Sequence, residues 1–215
     1  MENMRKYSSK FVGIGACLCS VAAILSCLPN YSHAAPVGGV VGSGSATISA
    51  SGLVTTVNQS TDRAVIDWSS FNLAQNETAR FVVPSDTSAT LNRISGGLTT
   101  ISGSVESNGV VYFSNPNGLV FDATSRVSAN GFVATTGSIS NFDFMSRGSF
   151  ASLGNGSVTL NGAISAPAIT AEAGTVTVGG NLSAGGGKIL LSSSNLTTIG
   201  SGATISADGG LNNNG

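Results

Sequence analysis

From Ser45 onward the apolar residues come in short alternating runs. Examples are Ser45-Ala46-Thr47-Ile48-Ser49, Ala64-Val65-Ile66-Asp67-Trp68, Ser157-Val158-Thr159-Leu160, Thr175-Val176-Thr177-Val178 and Ala203-Thr204-Ile205-Ser206. Period-two alternation with β-branched residues predicts strands. Glycine-rich turns punctuate them, among them Ser51-Gly52, Gly96-Gly97, Asn108-Gly109, Asn130-Gly131, Asn155-Gly156, Asn161-Gly162 and Gly179-Gly180. No stretch is long enough for a stable amphipathic helix. The candidates, Leu73 to Arg80 and the still shorter Phe142 to Arg147, fall below that length. Strands at intervals of roughly 8–12 residues or less suit a sandwich, a barrel or a β-helix.

The last third decides among these. Gly162-Ala163-Ile164-Ser165-Ala166, Gly180-Asn181-Leu182-Ser183-Ala184 and Gly202-Ala203-Thr204-Ile205-Ser206-Ala207 repeat one phrase, with Ile164, Leu182 and Ile205 standing 18 and 23 residues apart. An irregular period near 20 is what a solenoid gives when each coil tolerates loop changes. The expected fold is therefore all-β, a right-handed parallel β-helix, with a β-sandwich as the alternative. Each coil would pair its strands with the coils above and below and stack its inward side chains in apolar ladders. At about 20 residues per coil, the part from Ala35 onward gives about nine coils and a rod of ~43 Å. Leu211-Asn212-Asn213-Asn214-Gly215 follows a complete strand with no capping segment. Open solenoid ends expose unpaired backbone, so the chain is expected to be the truncated N-terminal part of a longer protein.

The first 34 residues have another pattern. Arg5, Lys6 and Lys10 precede an apolar run from Phe11 to Leu28, and Pro29 to Ala34 is polar and small. That order predicts a signal peptide over residues 1–34, cut before Ala35, with residues 35–215 as one domain. A membrane anchor fits less well, because Gly13, Gly15, Ser20 and Ser26 interrupt a run already short for a span. Lipidation at Cys27 is a second alternative, on the loose match Ile24-Leu25-Ser26-Cys27. All three cysteines (Cys17, Cys19, Cys27) and the single His33 precede the cut. The expected mature chain thus has no disulfide, no thiol or imidazole metal ligand, and no cofactor. Arg5, Lys6, Lys10 and Glu2 also leave with the leader, so six basic residues face nine acidic ones, a net of −3. No basic stripe remains to neutralise phosphates, and nucleic acid is not an expected partner. Disorder is excluded as well, since it needs low hydrophobicity with high net charge.

The most distinctive segment runs from Asn108 to Phe121: Asn-Gly, the aromatic-rich strand Val110-Val111-Tyr112-Phe113, the turn Asn115-Pro116-Asn117-Gly118, then Leu119-Val120-Phe121. On physics alone this is two strands joined by a type I turn. Pro116 fixes φ, Asn115 hydrogen-bonds forward, and Asn117 and Gly118 suit the last two positions. Taken with its surroundings, the segment resembles the signature of the two-partner secretion domain of filamentous haemagglutinin-like exoproteins. Val65 to Asn72, with Trp68, Phe71 and Asn72, is similar to the family's strand and Ser-Phe-Asn corner. Glu77 to Ser85 and Leu91-Asn92-Arg93-Ile94 follow upstream of the turn; Asn130 to Thr136 and Ile139 to Phe144 follow downstream, all in the family's order. The resemblance covers roughly Gly39 to Gly210. A second Asn-Pro-Asn motif found upstream in one subgroup is absent, and Asp122 stands where many members have glycine.

The resemblance implies a β-helix with N-terminal capping strands and small extra-helical β elements. It implies export by the general export machinery, then recognition in the periplasm by a cognate outer-membrane β-barrel transporter with periplasmic recognition domains. The product would be secreted or held at the cell surface, with folding starting outside and seeding further coils. Downstream repeats would meet host-cell glycans or receptors. In this reading Asn115, Pro116, Asn117 and Gly118 hold the coil that the transporter reads or that seeds folding. Trp68, Phe71, Asn72, Asn92 and Arg93 would support them, and Trp68, Phe71 and Phe113 are favoured as plain core residues.

Two other classes compete. A polysaccharide-cleaving β-helix needs clustered carboxylates or a calcium site. Asp86, Glu106, Asp122, Asp143, Glu172 and Asp208 are scattered, and Asp62 and Asp67 would face opposite sides of a regular strand. The chain is therefore read as a non-enzyme. Direct carbohydrate binding would use exposed aromatics, for which Trp68, Tyr112 and Phe142 are candidates. Haemolysins and contact-dependent toxins share the same amino-terminal module, so adhesin and toxin both stay open for the downstream activity.

Overall fold

The computed structural model describes residues 34–146 and 153–208. The expected leader with its cysteines and His33, Arg147 and the tail Leu211 to Gly215 lie outside the described residues. The described residues belong to one compact unit. It opens with two strands, β1 (Val40–Ser43) and β2 (Ala46–Ser51). A first coil follows with β3 (Val54–Gln59) and β4 (Arg63–Trp68). The second coil is β5 (Thr78–Val82), β6 (Ala89–Ile94) and β7 (Thr99–Ile101). The third is β8 (Ser104–Ser107), β9 (Val110–Ser114) and β10 (Leu119–Phe121). The fourth has β11 (Arg126–Ser128), β12 (Gly131–Thr135), an excursion carrying α1 (Asn141–Ser146), and β13 (Ser157–Leu160). The fifth and sixth are β14 (Ala163–Ser165) with β15 (Ala168–Val178), and β16 (Asn181–Ser183) with β17 (Lys188–Ile199). A seventh opens with β18 (Thr204–Ser206).

These coils form a parallel β-solenoid with three faces. One face stacks β3, β5, β8, β11, β14, β16 and β18; the second stacks β4, β6, β9, β12, β15 and β17. The third stacks β7, β10 and β13 onto the later halves of β15 and β17. Inward positions align coil on coil. Val105, Val127, Ile164, Leu182 and Ile205 form one ladder. The phrase that set the period in the sequence is this ladder's register, with Ile164 on Leu182 on Ile205. Ile66, Asn92, Phe113, Ala134 and Ala171 form a second ladder. Each inward Ile, Leu, Val or Phe removed from water contributes about 1.5–3 kcal/mol, which is why period-two alternation with turns suffices to specify the coil.

About seven coils, not nine, account for the described residues. Two features consume the difference. Residues Ala34 to Ser51 do not coil: β1 pairs antiparallel with β4 and β2 antiparallel with β3, capping the solenoid's first strands. The fourth coil is then enlarged by the excursion between β12 and β13. Coils before it are also longer than 20 residues, since Ala79 stacks on Val105 and Val105 on Val127.

The excursion shows where helix forms. Leu73 to Arg80 is not helical; Leu73 bridges to Ile101 and Thr78 already starts β5. The shorter candidate does form α1. Ser140 Oγ accepts the Asp143 N–H at 3.0 Å and donates to Asp143 Oδ2 at 2.6 Å, a cap that satisfies the helix start. Ile139 and Phe144 are buried against Val65, Ala89 and Leu91, on the outer side of β4 and β6. Those two strands are therefore covered on both faces.

Candidate functional site

The turn Asn115 to Gly118 closes the corner between β9 and β10. Gly118 N–H donates to Asn115 O at 3.1 Å, and Asn117 N–H donates to Asn115 Oδ1 at 2.9 Å. That is the turn the sequence predicts, with Asn115 folding its side chain forward over it. Gly118 has φ +107°, a conformation that strains any residue with a Cβ. A Cβ there would also lie 3.1 Å from Ser157 O.

The two asparagines do more than shape the turn. Asn115 is fully buried, and its Nδ2 donates to Gly97 O at 2.8 Å and Thr99 Oγ1 at 2.9 Å. Asn117 Nδ2 donates to Gly96 O at 2.7 Å. Its backbone neighbours join in: Thr99 N–H donates to Gly118 O, and Asn115 N–H to Thr135 O. The turn is thus bolted by side chains to the corner one coil earlier and by backbone to the coil after. Pro116 and Asn117 themselves face solvent.

The supporting residues divide into four groups. Trp68 and Phe71 are core, as favoured: their rings meet edge to face at 5.2 Å, and Phe71 meets Phe113 at 5.1 Å. Gly39 of the cap lies flat on the Trp68 ring, where a Cβ would come within 2.5 Å. Asn92 sits in the inward ladder between Ile66 and Phe113. It is tolerated there because its Oδ1 accepts the Trp68 indole N–H at 3.0 Å and its Nδ2 donates to Tyr112 O at 3.2 Å. Asn72 lies at a different corner, its Oδ1 accepting Thr100 N–H at 2.8 Å.

Arg93 is a tie on the outside. It pairs with Asp67 at 2.6 Å and donates to Ile139 O and Asn141 Oδ1. Asn141 in turn donates to Ser43 Oγ at 2.9 Å. One chain of contacts therefore joins β4, β6, the excursion and the β1 cap. Arg93 and Asp67 share with Pro116 a half-enclosed cavity of about 270 Å³, also lined by Ile94, Ser114 and Ser138. The structure brings Arg93 and Pro116 to one place, and leaves Trp68, Phe71, Asn72 and Asn92 away from it. Sequence reasoning missed Gly96, Gly97 and Thr99 as receivers of the asparagines, and Asp67 as the partner of Arg93. The signal lay only in the registers between coils: β4 on β6 for Arg93, and β9 and β10 on β6 and β7 for the asparagines.

Electrostatics are modest. Burial pushes the Tyr112 phenol up, partly offset by the charge of Arg63. Burial would also raise Asp122, but hydrogen bonds from Ser102 and Thr124 outweigh it and hold its carboxyl below the usual range. Asp122 closes the corner after β10, accepting Thr124 N–H at 2.8 Å. Asp122 is therefore a cap on its own turn.

Antiparallel caps, parallel ladders and a turn bolted to its neighbouring coil define a capped parallel β-solenoid. The family model described as TPS secretion domain matches residues 32–215, and the chain belongs to that family, as the secretion domain of a two-partner-secreted exoprotein. The crystal structure of the HMW1 secretion domain from Haemophilus influenzae is similar, with a TM-score of 0.67 and 30% identity over 74% of this chain and 44% of that one. Two curated relatives are heme/hemopexin-binding proteins of Haemophilus influenzae. One, from strain ATCC 51907 / DSM 11121 / KW20 / Rd, is 37% identical over 102 residues, covering 47% of this chain and 11% of its own length. The other is 37% identical over 82 residues, covering 38% of this chain and 9% of its own length. The chain thus spans about a tenth of the curated relatives it matches. Membership implies a cognate outer-membrane transporter and export across the outer membrane. The family is one of secretion domains.

Proposed function

We propose that the coil closed by Asn115, Pro116, Asn117 and Gly118 is what the transporter's periplasmic recognition domains read, and that it seeds folding once outside. The observation that carries this is the pairing of two properties at one corner. Asn115 is locked to the preceding coil, while Pro116 and Asn117 remain exposed beside the cavity that Arg93 and Asp67 border. A rigid, exposed feature presents the same shape each time, so a partner loses little entropy in binding it. Residues 1–34 act as a cleaved leader that the general export machinery uses, and the whole protein is an adhesin whose later repeats meet host glycans or receptors.

The relatives' names supply a second reading for the whole protein, capture of a haem carrier. Retention of hemopexin by intact cells that display the full-length protein, lost when the region beyond this domain is deleted, would favour it over adhesion.

The test of the secretion reading is co-expression of this chain with its cognate transporter, measuring the fraction released to the medium. Release should depend on the transporter and collapse when Asn115 to Gly118 is replaced by Ala-Ala-Ala-Ala. Equal release from cells lacking the transporter would overturn the reading.

A further inference from the structure

The turn dipeptide Asn117-Gly118 recurs at four other corners, Asn108-Gly109, Asn130-Gly131, Asn155-Gly156 and Asn161-Gly162, and each asparagine is exposed. Their hydrogen bonds differ. Asn108 is held firmly: its Nδ2 donates to Val83 O at 2.8 Å, its Oδ1 accepts Val83 N–H at 2.8 Å, and Gly109 N–H donates to Ser107 Oγ at 3.1 Å. Asn117 is held by its bond to Gly96 O, and Gly118 N–H donates to Asn115 O. Asn130 has one long bond, from Nδ2 to Asn108 O at 3.3 Å, and Gly131 opens β12 against Val110. Asn155 and Asn161 stand apart. Among the described residues, neither side chain makes a hydrogen bond, and neither Gly156 N–H nor Gly162 N–H has an acceptor. The Asn161 amide lies over Gly179, which has no side chain to hold it.

An asparagine before glycine carries its own electrophile and nucleophile. The glycine nitrogen closes on the side-chain carbonyl carbon, because no Cβ on the glycine shields it. Reaction needs that nitrogen free of an acceptor and the side chain free to turn, and a hydrogen bond to either opposes it. We propose that Asn155 and Asn161 modify themselves in the folded chain, while the bonds that shape the corners at Asn108 and Asn117 protect those two. Base removes the glycine amide proton, the nitrogen bonds to asparagine Cγ, and the side-chain nitrogen leaves as ammonia. Water then opens the cyclic imide at either carbonyl, giving aspartate or isoaspartate. Water enters, ammonia leaves, and nothing is oxidised or reduced. Aspartate only adds a negative charge. Isoaspartate also routes the main chain through Cβ, lengthening a corner that has no slack. A Cβ on Gly174 would lie 2.4 Å from Asn155 O, and one on Gly180 would lie 2.4 Å from Asn161 O. The two sites bracket β13, which lies between β10 and β15. Isoaspartate at either therefore loosens the seam between the fourth and fifth coils.

The test incubates the folded chain at mildly alkaline pH beside a sample in urea. Peptide mass spectrometry and isoaspartate-specific methylation follow each asparagine. In urea all the Asn-Gly pairs should react, since the protecting hydrogen bonds are gone. In the folded chain product should accumulate first at Asn155 and Asn161, more slowly at Asn130, and not at Asn108 or Asn117. Asn155→Gln combined with Asn161→Gln, whose longer side chains close a larger ring, should remove the earliest acidic species. Asn161→Asp carries the charge without the longer main chain and should keep its Tm, whereas the isoaspartate fraction of the aged chain should melt lower. Equal rates at every pair in the folded chain, or reaction first at Asn117, overturn the proposal. So does a folded chain unreacted at Asn155 and Asn161 while the urea sample reacts. Reaction at both sites with an isoaspartate fraction as stable as Asn161→Asp overturns the loosened seam.

Discussion

Coils two to four fill their interior with Phe81, Phe113, Phe121 and Phe132, while coils five and six fill theirs with Ile164, Ile169, Val176, Val178 and Leu182. The early rings meet edge to face, Phe113 with Phe121 at 5.8 Å and Phe121 with Phe132 at 5.1 Å. The early coils also carry the buried Asn92 and Asn115, the Arg93–Asp67 pair and the covering helix. The later coils repeat small aliphatic residues between glycine corners. Aliphatic ladders stack in any coil of the same length, so they extend a solenoid without marking a place along it. Aromatic pairs and satisfied buried amides have a required geometry. They make the first half particular, and under the proposed function that is the half the transporter reads.

The largest test of this contrast is a pair of core substitutions followed by chemical denaturation. Phe113→Ala should cost about 3–5 kcal/mol, and Ile169→Val about 0.5–1.5 kcal/mol. Both sites are fully buried, so nearly equal losses would erase the distinction. Next come the corner asparagines. Asn115→Ala leaves Thr99 Oγ1 and Gly97 O without their donor and should cost about 1–3 kcal/mol. Asn161→Ala, at an exposed corner of the fourth coil, should stay within about 0.5 kcal/mol. Gly118→Ala should cost about 1–2 kcal/mol for its φ of +107°. Gly202→Ala should cost little, since a Cβ there meets nothing within 4 Å.

The smallest effect is in the acid limb. Asp122 is held below its unfolded value, so its contribution is present above that value and lost as pH falls through the folded one. Asp122→Asn should flatten the acid limb of a pH titration of stability, and an unchanged limb would contradict this.

Much of the contrast was legible in the chain. Strand positions and the ladder Ile164, Leu182, Ile205 follow from alternation and turns, because inward residues must repeat whenever the coil does. The Asn-Pro-Asn-Gly turn is local, and its internal bonds involve residues at most three apart. What the turn holds is not local. Asn117 reaches Gly96 and Asn115 reaches Thr99 because the third coil lies directly on the second, a register that no local pattern states. The coil count differs for a related reason: antiparallel strands at the cap alternate as coil strands do, an excursion carrying α1 lengthens the fourth coil, and neither adds a turn to the solenoid. The ion pair of Arg93 with Asp67 was hidden likewise, since it needs β4 and β6 aligned.

The central claim is that the early coils, not the later ones, carry what the transporter recognises. Hydrogen exchange of this chain, alone and with the purified periplasmic domains of its cognate transporter, tests it most directly. The account predicts added protection within residues 34–136, including the corner at Asn115 to Gly118, and none over residues 157–206. Protection confined to residues 157–206, or spread equally over every coil, would contradict it.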